Sequence, residues 1–124
     1  MTQPVLGRVV IYTARIEEMA AFYARHFGYA ALSAEGDRIV ELRSDAGGLA
    51  LLLHPAAAGQ KQGQVLVKLV FDVEDVAAFC ASAEARGLDF GKVHRANGYS
   101  FANAKDPSGN AIQVSSRCFA KRDA

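Results

Sequence analysis

Two stretches of the chain, sixty positions apart, follow the same pattern without a gap. The first runs from Arg8 to Ile16 and the second from Lys68 to Val76. Each begins with a cation, continues as an apolar or alternating run typical of a strand, and passes directly into a segment that favours a helix. A duplicated pattern of this kind predicts two similar structural modules, with Arg8 and Lys68 at equivalent places near the strand starts.

The composition sets the broad class of the protein. The 124 residues are 51% apolar and 22% charged, which is ordinary for one globular domain with its own hydrophobic core. A net charge of +1 gives no reason to expect nucleic acid or an anionic membrane as a partner. The longest apolar stretch is too short to span a bilayer, and the N-terminus lacks the features of a signal peptide. Cys80 and Cys118 form no motif and suit a reducing compartment, so we expect a cytoplasmic protein.

The first module is expected over about residues 5–54. A strand is predicted from Val5 to Tyr12, and a helix from about Arg15 to Phe27, where apolar residues recur at helical spacing. Gly28 is expected to end this helix in the left-handed conformation. Three short strands separated by glycine-containing turns are then predicted: Ala30–Ser33, Arg38–Arg43 and Leu49–His54.

The second module is expected over about residues 65–116, after a small and polar connection over residues 55–64, so that residues 1–124 form one domain. Its first strand is predicted from Val65 to Val73, with Asp72 as the N-cap of the next helix. The turn D-P-S-G-N, from Asp106 to Asn110, is expected to join the last two strands. The three closing strands are predicted at Leu88–Val93, Tyr99–Ala104 and Ala111–Ser116.

Polar residues of three strands are expected on one surface of the protein. In the first strand of each module, the purely apolar face should lie under the helix, which leaves Arg8, Tyr12, Lys68 and Asp72 on the other face. In the last strand, Gln113 should point to the same side as those residues. This convergence of polar side chains predicts a binding site.

Several features together resemble the vicinal-oxygen-chelate superfamily, which includes glyoxalase I, extradiol dioxygenases, and fosfomycin- and bleomycin-resistance proteins. They are the βαβββ unit used twice, the helix ending in A-A-F-Y-A-R-H-F-G-Y, and the turn D-P-S-G-N before A-I-Q-V. The resemblance covers about Val5 to Ser116. It implies an α+β fold in which two βαβββ modules form a curved mixed sheet around a concave cup, often completed by a homodimer.

Metal-dependent members of this superfamily take metal ligands from positions that match Arg8, Lys68 and Gln113. Arginine offers no lone pair, and lysine would first have to lose its proton. One glutamine oxygen is a weak neutral ligand, and two cations would repel a divalent ion placed between them. Some members take a further acidic ligand from the strand that matches Leu49 to Leu53, which contains no acid. We therefore expect neither the usual metal ion nor another cofactor.

The same two cations favour an anionic ligand such as a carboxylate, a phosphate or an enolate. Arg8 would hold it with a bidentate fork, Lys68 would act as a point charge, and Gln113 would contact it. Tyr12 and Tyr99 would form an aromatic wall for a planar ligand. The resulting hypothesis is a protein that binds a small anionic organic molecule in the cup.

A competing interpretation pairs the charges internally. Glu41 could neutralise Arg8 or Lys68, and Asp72 could neutralise the other cation, because buried charges need a partner. With the cup filled by side chains in this way, the protein would be a dimeric interaction module.

An enzyme is the other alternative. His54 and His94 fall near strand ends and could assemble a non-standard metal or proton-transfer site. The chain would then be a metal-dependent lyase or dioxygenase of the same superfamily with a relocated site. No catalytic residue can be assigned from the sequence, since no nucleophile–histidine–acid set is visible.

Overall fold

The fold is α+β and repeats one βαβββ arrangement twice, as the sequence predicts. The structure, a computed structural model, describes Gln3 and residues 5–121. These residues divide into two compact units, and the division falls between Gln62 and Gly63. In the described part of the chain, neither helix is long and apolar enough to cross a membrane.

The first unit contains one helix and a mixed four-stranded sheet, here called the first sheet. Its strands lie in the order β1-β4-β3-β2, with β1 and β4 parallel and the other neighbours antiparallel. The elements are β1 (Arg8–Thr13), α1 (Ile16–Phe27), β2 (Tyr29–Leu32), β3 (Val40–Ser44) and β4 (Ala50–Pro55).

The core of the first unit forms where α1 covers one face of this sheet. Met19 and Tyr23 on the helix, and Leu42 and Leu53 on the strands, are all fully buried. These residues follow the helical and alternating periodicities of the sequence, so burial of apolar surface determines which faces meet. Gly28 ends the helix with a left-handed φ of 71°, as predicted.

The second unit repeats this arrangement in the second sheet. Its strand order is β5-β8-β7-β6, again with the outer strand β5 parallel to its neighbour β8. The elements are β5 (Lys68–Asp72), α2 (Val76–Ala85), β6 (His94–Arg95), β7 (Ser100–Lys105) and β8 (Ala111–Ser115), followed by a 3₁₀ turn (Arg117–Phe119).

The first strand of each unit begins three residues later than predicted. The prediction placed the starts at Val5 and Val65, whereas β1 begins at Arg8 and β5 at Lys68. Both are edge strands, each paired on one side with β4 or β8. Because their ladders begin at Arg8 and Lys68, the apolar residues before them extend beyond the ends of their partner strands.

Two further predictions about the second unit are wrong. The N-cap of α2 is Asp75, whose side chain accepts a hydrogen bond from the backbone N–H of Ala78 at 3.0 Å, while Asp72 ends β5. The strand expected over Leu88–Val93 is absent, and strand pairing is limited to His94–Arg95. Leu88 and Phe90 are buried, so the apolar pattern there reflects core packing without a ladder.

Candidate functional site

Each sheet packs one face against the helix of its own unit, and the opposite face is here called the open face. On β1, Arg8 and Tyr12 lie on the open face, and on β5 the same is true of Lys68 and Asp72. The alternation of exposed and covered residues along both strands is the one expected from a period of two. The sequence-based assignment of these residues to the face away from the helix is therefore correct.

Two arginines flank an alanine on the open face of the first sheet. Arg8 pairs with Ala50 across the β1–β4 ladder. On the other side of β4, the antiparallel register pairs Leu42 of β3 with Leu51. The next residue of β3, Arg43, therefore lies beside Ala50. We call Arg8, Ala50 and Arg43 the arginine row.

Glu41 joins the two ends of the arginine row. One carboxylate oxygen lies 3.5 Å from Nε of Arg8, and the other accepts a short hydrogen bond from Nε of Arg43. The bond from Arg43, reinforced by the positive charges of both arginines, holds the pKa of Glu41 below its usual value. The internal pairing of Arg8 with Glu41, left open by the sequence, is thus present, and it includes an arginine that sequence reasoning missed.

The second sheet carries a matching lysine row. Lys68 pairs with Ala111 across the β5–β8 ladder, and Lys105 pairs with Ala111 from β7. Nζ of Lys68 donates to Oδ1 of Asn103 at 3.0 Å, and Nε2 of Gln113 donates to the same oxygen at 2.9 Å. Asn103 therefore accepts from both side chains, and Lys68 is held by a neutral amide.

The two sheets differ in the acceptor that receives these bonds. Glu41 in β3 and Asn103 in β7 both stand two positions before the second cation of their row. The carboxylate cancels one of two positive charges in the first sheet, whereas the amide cancels none in the second. The triplets E-L-R (residues 41–43) and N-A-K (residues 103–105) share the order polar, apolar, cation. This shared order is the sequence signal that could have identified Arg43, Lys105 and Asn103.

Asp72 does not neutralise Lys68, contrary to one of the interpretations above. The two residues stand four positions apart on β5, which separates them by about 13 Å along an extended strand. Lys68 bonds to Asn103 instead. Asp72 lies one row away from Gln113, beside Ser115. Partial desolvation, and to a smaller extent the Asp72 carboxylate, raises the pKa of the nearby Cys118 thiol.

A pocket of about 460 Å³ opens on the second unit next to this network. Arg117 donates to the hydroxyl of Tyr99 at 3.1 Å and places its guanidinium 5.2 Å from the centre of that ring. Phe101 continues the aromatic surface, with its ring centre 6.2 Å from that of Tyr99. The lining residues are Val70, Asp72, Tyr99, Gln113, Ser115, Arg117, Cys118 and Ala120.

The predicted contact residues thus fall into two groups. Lys68, Tyr99 and Gln113 belong to the second unit, where Gln113 links the lysine row to the pocket through Asn103. Arg8 and Tyr12 belong to the first sheet, and the ring of Tyr12 packs 5.0 Å from that of His54. Arg117, which also lines the pocket, was not among the residues predicted from the sequence.

The histidines proposed for a relocated metal site make local contacts. Nδ1 of His54 lies 2.8 Å from the carbonyl oxygen of Pro55, and His94 stacks on Phe101 with ring centres 5.1 Å apart. Among Gln3 and residues 5–121, no group of three or more His, Cys, Asp or Glu side chains could hold a metal ion.

A family model decides the classification of the chain. The model of the Glyoxalase/Bleomycin resistance protein/Dioxygenase superfamily matches residues 5–114. The chain belongs to this superfamily. The comparison with curated proteins gave no match.

Several solved structures share the fold of this chain. An antibiotic binding protein from Streptomyces sp. CB03234, TnmS3, is 20% identical with a TM-score of 0.76, over 92% of this chain and 96% of that chain. A protein from the mobile metagenome of V. Pseudocholerae is 25% identical with a TM-score of 0.70, over 93% and 95% of the two chains. Lactoylglutathione lyase from Agrobacterium tumefaciens is 19% identical with a TM-score of 0.69, over 92% and 94%.

Proposed function

We propose that this protein binds a small anionic organic molecule on the open face of its second sheet, without the metal ion used by many superfamily members. The lysine row carries the proposal. Lys68 and Lys105 flank Ala111, and the side chain that receives the Lys68 hydrogen bond is the neutral amide of Asn103. Two positive charges therefore share this row, and the neighbouring acceptor, Asn103, carries no compensating negative charge.

The hydrogen-bonding groups of this network suit an acidic ligand. The ammonium group of Lys68 has three N–H donors, of which one is directed to Asn103. Within residues 5–121, the Asn103 amino group and the Gln113 carbonyl keep capacity for a further partner beyond the bonds described. A carboxylate here would accept a charge-assisted bond from Lys68 and a second bond from Asn103.

The adjoining pocket can hold the organic part of such a ligand. Its volume of about 460 Å³ is in the range of pockets that bind small organic molecules. Val70 and Tyr99 supply apolar and aromatic surface, and Gln113 lines the pocket while bonding to Asn103. TnmS3, a protein of the same fold, is itself an antibiotic binding protein, which supports a binding role for this fold without indicating the ligand.

The residues at the superfamily's metal-ligand positions do not fit a metal ion. Arg8 is turned to the carboxylate of Glu41, and both Lys68 and Gln113 donate N–H groups to Asn103. A metal needs lone pairs at these positions, and positive charges oppose its approach. No catalytic step through a metal is therefore assigned to this chain.

Three finer statements remain predictions. Arg8 and Tyr12 are proposed as additional contacts to the ligand from the first sheet. A homodimer, which the family resemblance implies, and a cytoplasmic location, which the sequence favours, are also predictions. A relocated metal site, which would make the chain a lyase or dioxygenase, remains the alternative function.

Thermal shift and calorimetry with paired probes test the proposal. Benzoate and phenylacetate are expected to raise the melting temperature, whereas benzamide and phenylacetamide, which lack the charge, are not. Replacing Lys68 with methionine should weaken carboxylate binding about tenfold, because one charge-assisted bond at an exposed site is lost. Lys61→Met, at another exposed lysine, is the matched control and should bind like the wild type.

Two outcomes would contradict anion binding at the lysine row. In the first, the neutral amides stabilise the protein as much as the carboxylates do, or neither class stabilises it. In the second, Lys68→Met binds the carboxylates with unchanged affinity.

A further inference from the structure

The arginine row of the first sheet borders a separate cavity of about 220 Å³. From this arrangement we infer a second binding site, for the oxyanion of a phosphate or sulfate group. It lies within the first unit and shares no residue with the lysine row, so it does not depend on anion binding there, although Arg8 is also proposed above as an additional contact. The cavity is lined by Gly7, Arg8, Arg43, Ser44, Gly48, Leu49 and Ala50.

The cavity follows from the register of three strands. Arg8 and Arg43 stand on β1 and β3, which lie on either side of β4. Neighbouring strands are about 4.8 Å apart, so the two arginine backbones are separated by about 10 Å. Ala50 between them carries a single methyl group, and the space above it stays open between two long side chains.

Both guanidinium groups are positioned to share an anion. Each turns its Nε toward Glu41, which orients the two side chains, and within residues 5–121 the terminal Nη groups keep capacity for another partner. Their side chains are 53% and 57% exposed, so an ion from solvent can reach them. With two arginines and one carboxylate, the group keeps a net charge of +1 and can still attract an oxyanion.

The chemistry of the lining favours a tetrahedral oxyanion. Arginine forks match phosphate and sulfate oxygens with paired N–H donors. Ser44 also lines the cavity, and its hydroxyl oxygen accepts from the backbone N–H of Ala46 at 3.1 Å. The volume of this cavity is about half that of the pocket on the second unit, which suits an anionic group without a large organic substituent.

Sulfate titration tests this site by calorimetry and by backbone amide NMR shifts. All measurements are made in the Lys68→Met variant, which weakens any contribution of the lysine row, and sodium chloride keeps the ionic strength constant. We expect saturable sulfate binding with the largest shifts in β1, β3 and β4. Arg43→Gln should weaken it about tenfold or more, while Arg25→Gln, an exposed arginine of α1, should leave it unchanged.

A second variant blocks the cavity without removing a cation. Ala50→Val is expected to abolish sulfate binding while the arginines remain, since its methyl groups fill the space between them. Phenyl phosphate then separates two sources of the anion: tighter binding than sulfate identifies an organic phosphate, and equal binding identifies a free oxyanion. The inference is overturned if chloride alone reproduces the shifts, or if both Arg43→Gln and Ala50→Val bind sulfate like their parent.

Discussion

Replacing Asp106 with alanine is expected to lower the free energy of unfolding by about 2–4 kcal/mol. Asp106 is 5% exposed and begins the turn between β7 and β8. One of its carboxylate oxygens accepts from the backbone N–H groups of Ser108 and Asn110 and from the side-chain amide of Asn110. Alanine would leave these donors in a covered turn without their acceptor, which costs more than the loss of an exposed hydrogen bond.

Urea unfolding of Asp106→Ala beside Asp37→Ala measures this cost. Asp37 accepts one backbone N–H, from Ile39 at 3.0 Å, in an exposed turn, and its replacement should cost about 1 kcal/mol or less. Equal losses in the two variants would show that burial and the multiple bonds of Asp106 contribute nothing. The turn also connects the strands that carry Asn103 and Gln113, so its integrity supports the proposed site.

Replacing Gly63 with alanine is expected to cost about 2–5 kcal/mol of unfolding free energy. A Cβ at this position would lie 2.7 Å from the carbonyl oxygen of Gly109 and 2.8 Å from that of Ser108. Both obstacles are backbone atoms of the turn that Asp106 begins, so neither can rotate away. The φ of 71° adds the strain of a left-handed conformation that alanine avoids.

Gly59 provides a matched control for the steric part of this effect. Its φ of 78° is similar, but a Cβ there would meet no atom within 4 Å. Gly59→Ala should therefore cost only the conformational strain, about 1–2 kcal/mol. If the two alanine variants unfold with the same free energy, Gly63 does not pack against the turn as described.

Most of the fold could be predicted because it depends on local periodicity. The helix over Ile16–Phe27 and its end at Gly28 follow from apolar spacing and from glycine's access to positive φ. The strand starts could not be predicted in the same way. Whether Val65 belongs to a strand depends on where the partner strand β8 begins, which is a property of tertiary pairing.

The site residues that the sixty-residue repeat defines could be predicted from the sequence. The site residues that depend on strand register could not. The sixty-residue repeat placed Arg8 and Lys68 at equivalent open-face positions, as observed. Arg43 and Lys105 were not predicted, because only strand pairing brings them to the site. The ladder with β4 places Arg43 beside the alanine that pairs with Arg8, and the ladder with β8 does the same for Lys105 and Lys68. The pairing of Asp72 with Lys68 could have been rejected from strand geometry alone.

Metal content measures most directly whether this chain lacks the metal ion that many superfamily members use. The protein is purified without chelators, incubated with nickel, zinc or ferrous iron, and desalted. Its bound metal is then measured by inductively coupled plasma mass spectrometry. We predict no stoichiometric metal in any of these samples, because the ligand positions hold Arg8, Lys68 and Gln113 and the lysine row is positively charged. One equivalent of tightly held metal per chain would contradict this and would favour a lyase or dioxygenase with a relocated site.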